Sequence, residues 1–260
     1  MAAATPVAAP ATARRVLALR LAIVVTVLVL WEAVSASGWL FRDVVPSLAA
    51  IGRALLRTLG NSDFYANLGI TLGEIGVALV IGGVAGLAVG IALGANRFLS
   101  RAYESLVYYL GPTPKIIFFP VMIMWFGVGS GSKIAMGVVS CFFPIVISTA
   151  AGMRQIDAVL IRVGRSFRAS TWQMIAKIYL PAMRAPIVNG VRLGLGVAII
   201  GTLLAETKLS NRGVGYLIIQ AYATFDMPRM YALLIVLFVL AIGANAVIGR
   251  LAVARGPLRA

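Results

Sequence analysis

Apolar residues run through this chain in blocks too long for the half-buried faces of a soluble fold. A helix needs about 20 mostly apolar residues to cross the hydrocarbon core of a bilayer. Six segments reach that length: Val16–Ala36, Tyr65–Ala95, Tyr103–Phe126, Ile134–Met153, Ile187–Glu206 and Met230–Val253. They predict an all-α fold, a polytopic membrane helix bundle of about six transmembrane helices. Residues 1–13 read as a flexible N-terminal tail, and 14–260 as a single transmembrane domain. The first span, preceded by Arg14 and Arg15, is long for a signal peptide and no small-residue cleavage site follows it, so an uncleaved helix is expected.

The polar stretches between the blocks are equally informative. Ser37–Phe64 contains an amphipathic segment, Leu48–Leu59, suited to lying at the membrane interface. Arg154–Pro186 is basic and too polar to cross lipid. Within it Ile156, Val159, Leu160 and Val163 recur at helical spacing, and Ser170 is placed to cap a second short helix from Thr171 to about Tyr179, ended before Pro181. Two short helices with a basic surface make a docking knob for another protein; a helical loop snorkelling at an anionic leaflet is the competing reading.

Inside the spans, Gly82, Gly86, Gly90 and Gly94 fall at steps of four and share one helix face. Packing against another helix of the same chain is favoured over a seam between two copies. Pro112, Pro114 and Pro120 interrupt the third segment and Pro144 sits in the fourth. Each removes a backbone donor and bends its helix, which in lipid suits either a lined pathway or an ordinary kink.

Composition narrows the class. Hydrophobic residues make up 61% of the chain and charged ones 12%, against about half and a quarter in soluble domains. The net charge of +15 would suggest nucleic acid in a soluble chain, but here the basic residues lie between apolar runs and no nucleic-acid partner is expected. With the N-terminus in the cytoplasm, 16 of the 23 Lys and Arg fall on inside segments. That is the positive-inside bias, and it places both termini in the cytoplasm. The chain has no histidine, and its one cysteine, Cys141, lies in an apolar run. No metal site, nucleophile–base pair or catalytic residue is visible. The segment Gly127–Ile134 (GVGSGSKI) fails the phosphate-loop pattern, with Ser132 before Lys133 and Ile134 after it. If ATP drives this protein, ATP and its magnesium are bound by a partner chain. None of the eight acidic residues falls at the centre of a span, which argues against an ion-coupled secondary transporter, the alternative function. Ser140, Ser148, Thr149, Thr202 and Glu206 are the polar candidates for a pathway, with helix-packing hydrogen bonds an equal explanation. Glu206 is better suited to tying down the outer end of the fifth span than to meeting an anion.

The loop resembles the coupling loop of ABC-importer permeases, whose pattern is E-A-A-x3-G-x9-I-x-L-P. Ile178-Tyr179-Leu180-Pro181 matches its end. Counting back places the motif glycine at Arg168 and E-A-A at Arg162-Val163-Gly164, so the front half departs from the pattern. Val45-Pro46-Ser47, Pro114-Lys115-Ile116 to Pro120, Trp125-Phe126-Gly127-Val128-Gly129, Ser132-Lys133-Ile134, Phe142-Phe143-Pro144-Ile145, Asn189–Gly194, Ala205-Glu206 and Gly213–Ile218 also resemble the nitrate/sulfonate/taurine-type branch, over about residues 40–250. The resemblance implies a permease of the bacterial inner membrane carrying a small, mostly anionic solute. Its implied partners are a second permease copy, a dimer of cytoplasmic ATPase subunits and a periplasmic or lipid-anchored solute-binding protein, all in membrane lipid. It also implies ATPase contact at Arg165, Ser166, Phe167, Arg168, Ala169, Ser170 and Trp172, with the two aromatic rings as anchors unless they pack under the bundle itself.

Overall fold

The computed structural model describes residues 10–39 and 44–253. Arg42, Arg255, Arg259 and residues 1–9 of the expected tail lie outside the described residues; the first helix begins at Pro10, so residues 10–13 are helical instead. The regular structure is helical throughout the described residues: α1 Pro10–Ser37, α2 Leu48–Leu59, α3 Ser62–Ala95, α4 Arg97–Leu110, α5 Phe119–Phe126, α6 Ser130–Arg154, α7 Ala158–Ser166, α8 Thr171–Met174, α9 Leu180–Ala182, α10 Arg184–Lys208, α11 Val214–Ala223 and α12 Met227–Val253.

Five of these helices (α1, α3, α6, α10 and α12) are long and apolar enough to cross a membrane. The third predicted span differs from expectation. It is not one rod but α4 followed by the segment Lys115–Phe126, bent by 92° at the break. The cause is the Gly111-Pro112-Thr113-Pro114 sequence, whose prolines cannot donate to a helical ladder. Pro120 interrupts nothing, because it sits in the first turn of α5, where a missing N–H has no partner to lose. Counted with this bent pair, the spans number six.

The core is a three-helix layer in which α6 lies between α3 and α10. Its packing is set by absent side chains. A Cβ placed on Gly82, Gly86, Gly90 or Gly94 of α3 would meet Cys141, Ile145, Thr149 or Met153 of α6 at 2.4, 2.9, 2.5 and 2.4 Å respectively. Four glycines at steps of four therefore receive four α6 side chains at the same steps. This is packing inside one chain, as the spacing suggested. From the other side, Gly190, Gly194 and Gly201 of α10 face Ser148, Ile145 and Ser140, and Gly137 of α6 faces Ala78 and Thr202. Lipid offers no hydrophobic gain for helix association, so close backbone approach and dispersion hold these helices together.

The remaining elements attach to this layer at its two ends. At one end Arg154 pairs with Glu104 at 2.8 Å, tying α6 to α4, and the segment 155–183 projects. At the other end Trp31 Nε1 donates to the Pro46 carbonyl at 3.0 Å, and the Leu48 N–H donates to Glu32 at 2.9 Å. These bonds join α1 to α2, whose first turn is capped by Ser47. Phe64, Val214, Leu217 and Leu233 form a cluster that seats α11 between α3 and α12. The large apolar side chains of α1 from Val16 to Leu30 are exposed, as expected of a surface covered by lipid.

Replacing Gly90 with Leu should cost about 1–3 kcal/mol by overpacking, read as a lower melting midpoint of the detergent-solubilised protein. Gly243→Leu, at a position with open space around it, should melt like the wild type. In a Gly90→Ala/Thr149→Gly pair part of the loss should return; no recovery would mean that the two helices do not meet there.

Candidate functional site

The projecting segment between α6 and α10 is built by local rules. Asp157 Oδ1 accepts from the Val159 N–H at 2.8 Å and starts α7. The helix ends in a Schellman arrangement: the Ala169 N–H reaches the Gly164 carbonyl at 3.0 Å and the Arg168 N–H reaches the Arg165 carbonyl at 2.9 Å. That ending needs a left-handed residue, and Arg168 supplies it with φ +50°. The position is the one at which the coupling-loop pattern carries glycine, the residue that adopts this conformation without steric cost. Gly164, at the second alanine of the pattern, must also be small: a Cβ there would lie 2.4 Å from Ile178 Cδ1 and 2.6 Å from Met174 Sδ. The departures in the front half thus preserve a tight crossing while placing a non-glycine residue in the turn.

Ser170 opens the second arm with a complete capping box, its hydroxyl accepting from the Gln173 N–H and Gln173 Oε1 accepting from the Ser170 N–H. The second helix does not stop before Pro181. Residues Ile175–Tyr179 wind as a π turn and lead into α9, which contains the proline. The wider turn changes the bonding register ahead of a residue that has no N–H to donate, so the arm runs on toward α10. Phe167 is 83% exposed and Trp172 74% exposed. Neither ring packs under the bundle. Arg165, Ser166, Phe167, Arg168, Ala169, Ser170 and Trp172 form one continuous corner between α7 and α8.

At the opposite end the structure gathers a buried polar cluster. Glu206, at the end of α10, is fully buried. Its Oε1 accepts from the Thr71 hydroxyl at 2.7 Å and its Oε2 from the Gly215 N–H at 2.6 Å. Thr71 accepts in turn from the Val214 N–H at 2.8 Å, and Asn67 Oδ1 accepts from the Gly213 N–H at 2.7 Å. The first three amides of the turn into α11 are thereby bound to side chains of α3 and α10. Gly213 is required twice: its φ is +101°, and a Cβ would sit 2.4 Å from Glu206 Oε1. Glu74 of α3 and Lys133 of α6 lie within electrostatic range of Glu206, both buried. The Lys133 ammonium donates to the Val128 carbonyl. Glu206 does tie down its end of α10. Glu74, Lys133 and Thr71 were not among the sequence candidates, although a charge embedded in a long apolar run is itself a signal of a buried partner.

The other pathway candidates stand between helices. Ser140, Thr149 and Thr202 are buried, against Gly201, Gly90 and Gly137 respectively, while Ser148 is half-buried against Gly190. Cys141 is buried, its thiol directed at the Ala78 carbonyl at 3.5 Å. Among the described residues no group of His, Cys, Asp and Glu is arranged to hold a metal ion.

The fold is that of a transporter's membrane subunit. It superposes with a TM-score of 0.66 on a chain of the MetNI methionine ABC transporter, at 22% identity over 73% of this chain and 94% of that one. The family model for the binding-protein-dependent transport system inner membrane component matches residues 78–254, and the chain belongs to that family. It is similar to the putative aliphatic sulfonates transport permease protein SsuC of Bacillus subtilis, 29% identical over 81% of this chain and 76% of that protein. It is likewise similar to the taurine transport system permease protein TauC of Escherichia coli, 29% identical over 74% of this chain and 71% of that protein. It is thus an ABC-importer permease, a transport subunit and not an enzyme, similar to permeases named for sulfonates, taurine and nitrate.

Removing the Glu206 carboxylate with Glu206→Ala should destabilise the α10–α11 junction by about 1–3 kcal/mol for each donor left unpaired. The expected readouts are a lower melting point and faster proteolysis within residues 209–224. Arg168→Gly should relieve the left-handed strain and stabilise the loop by about 1 kcal/mol, seen as slower hydrogen exchange at the Ala169 amide, whose bond to the Gly164 carbonyl closes the turn.

Proposed function

We propose that this chain forms, with a second copy, the membrane pathway of an importer for a small anion of the sulfonate, taurine or nitrate kind. A solute-binding protein delivers the anion, and two ATPase subunits that bind ATP and magnesium drive its passage. The reading rests on the family, and on one observation above the others. Two large aromatic side chains stand almost fully exposed on a rigid, capped corner between α7 and α8. Exposed rings flanked by arginines, on a corner that buries nothing of its own, are the features of an interface anchor. In this reading the corner faces the cytoplasm, both termini lie on the same side, and the ATPase subunits grip Phe167 and Trp172, with Arg165 and Arg168 at the rim. Movement of the ATPases is passed to α6 and α10 because the loop joins the two helices directly. The pathway runs along the α6–α10 layer. Of the five polar candidates Ser148 is the one open to it, and Ser140, Thr149, Thr202 and Glu206 hold the helices at their spacing.

In the reconstituted transporter, Phe167→Glu should reduce solute-stimulated ATP hydrolysis and uptake together. The expected loss is about 2 kcal/mol of interface energy, or roughly thirtyfold in affinity for the ATPase subunit, with an unchanged melting point of the permease alone. Wild-type ATPase stimulation in this variant would refute the coupling assignment.

A further inference from the structure

A second site with its own chemistry lies at the end of the bundle opposite the loop. A cavity of about 470 Å³ opens between α2, the α2–α3 turn and the start of α12. Its volume falls in the range of small-ligand sites. Arg53 and Arg57 line it from α2, and Arg229 lines it from the first turn of α12. The two α2 arginines are four residues apart and share a helix face, which without a counter-charge is an unfavourable placement. Among the described residues none of the three forms an ion pair, the pair recorded there being Arg154 with Glu104.

One acid stands on the wall, Asp226. Its Oδ1 accepts the Arg229 N–H at 3.2 Å and so serves the start of α12. Three arginine side chains therefore border one space against a single carboxylate engaged with backbone, with Arg53 Nε also donating to the Ala49 carbonyl at 3.4 Å. Below them the lining is apolar: Phe64, Leu217 and Leu233, all buried. Arg53 and Arg57 are exposed and Arg229 is half-buried, so the cavity is open to an anion arriving from outside the bundle. Guanidinium forks match the tetrahedral or planar oxygens of an oxyanion, which they bind in bidentate fashion.

We propose that this cavity binds an oxyanion group of the phosphate or sulfonate class, held by Arg53, Arg57 and Arg229. The site is separate from the α6–α10 layer and from the corner at Phe167. Two sources carry this chemistry: the headgroup of an anionic lipid, which α2 is placed to meet at the membrane boundary, and a free anion in solution.

The test uses the full-length chain purified in neutral detergent and freed of lipid. Binding is followed by native mass spectrometry and by the melting midpoint. One arm titrates sodium sulfate and phosphate; the other uses phosphatidylcholine nanodiscs with and without phosphatidylglycerol. Binding is expected in one arm. Response to the free anions assigns a soluble ligand, and response to phosphatidylglycerol alone assigns a lipid. Arg57→Gln and Arg229→Gln should each weaken binding about tenfold, the loss of one charge-assisted bond, and Lys208→Gln at the same end should not. Asp226→Asn keeps a capping side chain and removes the competing charge, so it should tighten binding even if the arginine variants fold poorly. Absence of binding in both arms overturns the proposal. So does equal affinity in the arginine variants, or unchanged or weaker binding in Asp226→Asn. Loss of association with an acidic partner protein while anion binding stays constant would also overturn it, by showing that the arginines serve a protein interface.

Discussion

The close approach of α3, α6 and α10 is the constraint on which the other parts depend. In lipid, burying an apolar side chain against another helix gains little over burying it in acyl chains. The helices must therefore gain by dispersion at short range, and short range is available only where one backbone presents no Cβ. The glycines of α3 accept Cys141, Ile145, Thr149 and Met153, and those of α10 accept Ser140, Ile145 and Ser148. Ile145 is enclosed from both sides. The α6 helix is thereby held in register with both neighbours, and anything attached to its ends moves with the layer.

The two ends of that layer are treated in opposite ways. At the Glu206 end, the Glu206 carboxylate, the Thr71 hydroxyl and the Asn67 amide oxygen are buried and take up the amides of the turn into α11, while Glu74 Oε2 beside them has no hydrogen-bond partner among the described residues. Polar groups buried with partners specify one geometry and resist opening. At the loop end the capping bonds are complete, but the large apolar side chains are left in the open. The corner is rigid within itself and unfinished as a surface, which is the arrangement expected of an element that a partner completes. In the proposed function, a locked end and an unfinished end joined by two long helices would act as a lever between discrete packed states.

The cavity beneath α2 and α12 follows another logic. Its arginines belong to elements that are not part of the three-helix layer, so their charge acts on whatever meets the boundary of the molecule and does not bear on the close packing inside. In the proposed reading, function is spread over surfaces made by short helices, while the long helices supply spacing and rigidity.

Much of this was legible in the order of residues. Hydrophobic block length, the four-residue glycine step, the Leu48–Leu59 amphipathic segment and the Ser170 cap are local patterns. Each maps onto an element because span length, helical periodicity and capping depend on neighbours within a few residues. The resemblance to ABC-importer permeases rested on residue matches spread over about residues 40–250, since the front half of the coupling-loop pattern departs from it. What remained hidden were outcomes of long-range juxtaposition. The continuation of the helix past Pro181 and the exposure of Phe167 and Trp172 depend on what each segment finds beside it, whereas the prolines at 112 and 114 signalled a bend but not its 92° angle. Glu74, Lys133 and Glu206 are more than 50 residues apart from one another in the chain, and no periodicity links them. Only the packing of α3, α6 and α10 brings them together, because the cost of burying a charge is settled by the partners that the fold places around it.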